Sequence, residues 1–80
     1  MTPRERRALA RVVAGNLRRL RAERRYSTRE LALRAGITMS YVNDLERAKA
    51  SPNLGISLAL ARALGVELAA LVAEPTEVAA

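Results

Sequence analysis

The stretch "AGITMSYVNDLERAK" (residues 35–49) breaks a helical pattern and restarts it within three residues. Upstream, "STRELALRA" (27–35) reads as a short helix from about Thr28 to Ala35. Ser27 is its N-cap and Glu30 follows three residues on, the spacing of a capping box. Gly36 supplies the positive φ that ends this helix. Ile37 fills the turn, and Thr38 caps a second helix expected to run to about Ala48. Leu31 and Ala35 face a core from the first helix, Val42 and Leu45 from the second. The small Ala32 between them lets the two helices pack closely. A turn this tight holds two short helices at a fixed crossing angle.

Working outward, "TPRE" (2–5) is another helix start, with Thr2 as N-cap, Pro3 at the first position and Glu5 at the third. Leu9, Val13, Leu17 and Leu20 then form one apolar stripe, predicting a long first helix to about Arg24 with Gly15 as its weak point. Arg4, Arg7, Arg11 and Arg18 occupy the other face. Beyond the central pair, "KASPN" (49–53) is a loop, with Ser51 held extended before Pro52. In "NLGISLALARALG" (53–65) Leu54, Ile56, Leu58 and Leu60 alternate like a strand, while Leu60, Ala61 and Leu64 follow a helical period. A lone strand would have no partner, so the reading is a helix from about Leu54 to Leu64, closed by Gly65. A last helix is expected over Glu67 to Val72, with residues 74–80 a disordered tail. No repeat or linker divides the chain, and 1–73 reads as one domain.

Eighty residues bury only about 60% of their unfolded surface. With no Phe or Trp, the core must come from Leu, Ile, Val and Ala. The chain has no cysteine and no histidine, which removes disulfides, thiolate metal sites, thiol nucleophiles and the commonest general base. No apolar run reaches the ~20 residues that span a bilayer, and no signal-peptide pattern opens the sequence. The expectations are a cytoplasmic protein, no membrane, no metal, no cofactor and no catalysis. Charge is more informative. The net charge is +6, unevenly placed: residues 1–40 carry eleven arginines against Glu5, Glu23 and Glu30, a net +8, and residues 41–80 a net −2. Such a basic half is either a solvated helix or the footprint of a polyanionic partner.

The two short helices over residues 28–47 have the arrangement of a helix-turn-helix, whose second helix enters the major groove of DNA. Around them stand "LRRLR" (17–21), "S-x-x-E-L-A" (27–32), "A-G-I" (35–37), "Y-V-x-x-L-E-R" (41–47), Pro52 and "LARALGV" (60–66). Over about residues 13–72 the chain resembles the Cro/C1-type (XRE) family of helix-turn-helix DNA-binding domains. The resemblance implies an all-α, compact five-helix bundle of lambda-repressor-like fold, here with an extended first helix. It also implies a transcriptional regulator that binds a palindromic operator in double-stranded DNA as a homodimer.

Residue by residue, Ser27 and Thr28, with Arg29 beside them, match positions that family members place against phosphate. Thr38, Met39, Ser40, Asn43, Asp44 and Arg47 match the groove-facing side of the recognition helix. Lys49 matches a loop that approaches the backbone, and Arg21 and Glu46 match a pair tying helix one to helix three. Three positions depart from the family pattern. Arg25 and Ala48 stand where Gly is common, so either left-handed residues are accepted or helices one and three end differently. Ser57 takes a slot usually filled by Leu.

Side-chain chemistry refines these roles. Asn43 suits a bidentate contact to adenine N6 and N7, and Ser40 serves as donor or acceptor. Met39 either packs on a thymine methyl or fills a gap. Asp44 either accepts from cytosine N4 or pairs with Arg47 at i+3. Tyr41 can lay its ring on helix two and offer its hydroxyl to a phosphate. Leu68, Leu71 and Val72, with the end of helix four, are the expected dimer contact. The leading function is therefore a repressor or activator that reads DNA, in the style of phage repressors or restriction–modification controllers. The alternative is an antitoxin-type interaction protein that holds a partner and regulates itself through the same fold. The short acidic stretch Glu74 to Glu77 offers that alternative little surface.

Overall fold

The computed structural model describes residues 1–74. Among these it is all-helical, in five elements: α1 (Pro3–Glu23), α2 (Thr28–Ala35), α3 (Met39–Glu46), α4 (Leu54–Leu64) and α5 (Ala69–Val72). None of them is long and apolar enough to cross a membrane. Of the expected tail 74–80, only Glu74 lies among the described residues.

Local chemistry sets the helix ends. Thr2 and Glu5 form a complete capping box on α1. The bonds from Thr2 hold the Glu5 carboxyl below its usual pKa. Ser27, Thr38 and Asn53 each accept the third amide of the helix they open. The expected capping box on α2 is only half formed, because the Glu30 carboxylate turns to Arg34 one turn later, at 3.0 Å. Gly36 and Gly65 close α2 and α4 at φ 71° and 69°. Helix α1 runs unbroken through Gly15 and ends one residue short of Arg24, its C-cap.

Two departures from the family pattern resolve the same way. Arg25 and Ala48 take φ of 57° and 59°, so both chain reversals keep their left-handed geometry without glycine. Helix α3 accordingly ends at Glu46, two residues before the expected Ala48. A side chain in that region costs about 1–2 kcal/mol. Arg25→Gly and Ala48→Gly should therefore each raise stability by roughly 1 kcal/mol, offset in part by glycine's greater unfolded-state entropy. Thermal melting would read this as a gain of about 4–8 °C, and an unchanged or lower midpoint would contradict it.

The core is aliphatic. Leu17, Leu31, Leu45, Leu60, Leu64, Leu71 and Val42 are fully buried. Helix α1 packs on α3 and α5 through Val13, Leu17 and Leu20, while α2 packs on α3 and α4. The slot at Ser57 is half-buried, and its hydroxyl donates to the Asn53 carbonyl one turn back.

The last helix differs from expectation. It begins at Ala69 rather than Glu67, because Ala70 and Leu71 donate to carbonyls only three residues back. Leu71, expected at a dimer contact, is 1% exposed and belongs to this chain's own core. A four-residue helix has room to bury only one large side chain, and the packing on α1 takes Leu71. Leu68 is half-buried and Val72 exposed.

Candidate nucleic-acid interface

Helix α3 divides into a locked side and an open side. Val42 and Leu45 are wholly buried, and Glu46 beside them is the only buried acid among the described residues. Its carboxylate accepts two bonds from Arg21, Nε to Oε2 at 2.7 Å and Nη2 to Oε1 at 3.0 Å. Arg21 Nη1 also donates to the Tyr26 carbonyl at 2.8 Å. The bond to Glu46 raises the Arg21 pKa further above its ordinary value, partial burial opposing it. Arg18, read as solvent-facing, also donates through Nη1 to the Glu46 carbonyl. Two arginines of α1 thus grip the last turn of α3 and fix its direction.

The open side carries Met39, Ser40, Asn43, Asp44 and Arg47. Met39 is 49% exposed, so it does not fill a core gap. Ser40 and Arg47 are exposed, Asn43 and Asp44 half-buried. Among the described residues none of these five side chains takes a hydrogen bond or an ion pair, and Asp44 and Arg47 do not pair.

Ser27, Arg29, Thr38 and Lys49 are exposed, while Thr28 and Tyr41 are half-buried. The Ser27 and Thr38 oxygens accept from helix amides, which leaves each hydroxyl proton free to donate outward. Tyr41 packs against the core edge. Lys49 follows α3 directly, its amide donating to the Asp44 carbonyl at 2.8 Å.

Residues 17–71 match the family model described as "Helix-turn-helix". The chain belongs to the Cro/C1-type helix-turn-helix family. Members of this family are DNA-binding transcription regulators. The chain is 36% identical over 64 residues to the immunity repressor protein of Bacillus phage phi105, covering 80% of itself and 44% of that protein. It therefore spans less than half the length of that repressor. Its fold superposes on a hypothetical transcription factor NHTF from Neisseria with a TM-score of 0.81 at 34% identity, covering 84% of this chain and 77% of that one. The restriction–modification controller protein C.AhdI from Aeromonas hydrophila gives 0.77, also at 34% identity, covering 80% and 97% respectively. The fold is the lambda-repressor-like one.

Asn16 was not anticipated. It is 3% exposed, and its Nδ2 donates to the Leu71 carbonyl at 2.8 Å and the Ala73 carbonyl at 2.9 Å. The signal was present: Asn16 stands three residues after Val13 and four before Leu20, a polar residue on the apolar stripe. Arg24 plays a similar part for α4, its Nε donating to the Leu64 carbonyl.

Proposed function

We propose that this member of the Cro/C1-type family is a sequence-specific transcriptional regulator. It inserts α3 into the major groove of an operator and acts as a symmetric dimer in the cytoplasm, with residues 1–73 as its DNA-binding domain. One observation carries the reading. The outward side chains of α3 are unbonded and accessible, while its inward side is locked to α1 by Arg21 and Arg18. A reading helix needs free donors and acceptors on a rigid support, because bidentate base contacts tolerate little misplacement. Met39, Ser40, Asn43, Asp44 and Arg47 are the proposed base readers. Ser27, Thr28, Arg29, Thr38, Tyr41 and Lys49 are the proposed phosphate contacts, which set position without reading sequence.

The dimer contact rests on Leu68 and Val72 with the end of α4, since Leu71 is already engaged within the chain. Selection of bound duplexes from a random pool tests both parts together. The expected product is a two-fold symmetric consensus with half-sites about 10 bp apart, or a multiple of that. An enriched sequence without symmetry would remove the dimer, and no enrichment at all would remove the reading.

A further inference from the structure

Helix α1 spans 21 residues, about 32 Å at 1.5 Å per residue, and most of it precedes residue 17, where the family match begins. The charges of that leading part are sorted between two faces. Pro3, Arg6, Arg7 and Ala10 share one face and form one wall of a cleft of about 340 Å³. The opposite wall is the loop 48–51, including Lys49. Three cations from two elements distant in sequence therefore converge on one cleft. All three are exposed, and none joins an ion pair among the described residues.

The acids lie on the other side. Glu5 lines a second cleft with Ala8, Leu9 and Val12, closed by Val72 and Glu74, and its carboxylate is bonded to the Thr2 amide. Like charges gathered without counter-charges repel one another, and a bound anion relieves that repulsion. The cationic cleft is also fixed relative to α3. Its loop leaves α3 through bonds from Ala48 and Lys49 to the Leu45 and Asp44 carbonyls. Its helical wall is tied to the end of α3 by Arg18.

We infer that Arg6 and Arg7 act with Lys49 to hold backbone phosphate of the DNA flanking the bases that α3 contacts. The inference rests on the DNA-reading proposal above and extends the interface onto the part of α1 outside the family match. Guanidinium forks suit phosphate oxygens, and such contacts add affinity without sequence information. Each neutralised phosphate steepens the fall of log affinity against log salt by about 0.9.

The test is fluorescence anisotropy on a selected and a random duplex across a potassium chloride series. Arg6→Gln/Arg7→Gln should lower the salt slope by about one to two units, weakening both duplexes by the same factor. Arg6→Lys/Arg7→Lys should keep the slope, since charge sets counterion release. A charge-matched control is Arg19→Gln/Arg34→Gln: both are exposed arginines outside the cleft, each paired with a glutamate one turn away on its own helix, Glu23 and Glu30. It should leave the slope nearly unchanged. A slope lost equally in the control and the cleft variant, or in neither, overturns the cleft while leaving the α3 reading intact. A wild-type chain that binds neither duplex overturns both.

Discussion

Glu46→Ala is expected to destabilise the chain by roughly 3 kcal/mol, because it leaves Arg21 partly buried without its partner. For a chain of this size the midpoint of thermal unfolding should fall by roughly 12–24 °C. The magnitude follows from the geometry. Glu46 is buried and accepts two bonds from a guanidinium whose third donor is committed to the Tyr26 carbonyl. Arg21→Ala should cost a comparable amount by stranding the carboxylate. The double change should cost clearly less than the two single ones summed, since neither charge is then left unpaired. Denaturant unfolding of the four proteins checks this, and full additivity would reject the pair as a coupled unit.

Asn16→Ala should cost about 2 kcal/mol, as two carbonyls at the end of α5 lose their donor. The loss should be local before it is global. A four-residue helix cannot sustain itself, and Asn16 is the side chain that ties its end to α1. Amide exchange at Ala73, which donates to Ala69, should accelerate more than exchange in α3. Asn16→Asp gives a pH signature. The Arg19 guanidinium reaches the other side-chain oxygen only at 3.4 Å, while burial and the two facing carbonyls both disfavour a carboxylate, so its folded pKa should lie above its unfolded value. Relative to the parent chain, the variant should then lose stability as pH rises through the unfolded carboxylate range, about 4. A penalty that shrank with rising pH would contradict the assignment.

How far the fold was legible follows from the kind of signal each element carries. The helix starts at Thr2, Ser27 and Thr38 are readable because a capping hydroxyl acts within three residues of chain, whereas the Asn53 cap of α4 lies in a stretch that reads only as loop. The end of α3 is not legible, because Ala48 holds a glycine's conformation and only tertiary packing enforces that. The inward turn of Leu71 is not legible, because a short apolar segment has too few turns for periodicity to say which side chain points inward. The Arg21–Glu46 pair was accessible only through resemblance, since its partners stand 25 residues apart in sequence. Asn16 and the cleft of Arg6, Arg7 and Lys49 depend on which helix lies opposite, something no local pattern encodes. The proposed reading residues of α3 were legible as a face, because Val42 and Leu45 define its opposite.

The central claim is that α3 reads bases, and the most direct measurement compares Asn43→Ala on the selected operator and on random duplex DNA. Anisotropy titrations over a salt series should show a loss of about 1–3 kcal/mol on the operator and little on random DNA, with Ser40→Ala behaving alike. Lys49→Ala should instead weaken both duplexes by the same factor and lower the salt slope by about one unit. If Asn43→Ala weakened operator and random DNA equally, α3 would not be the reading element.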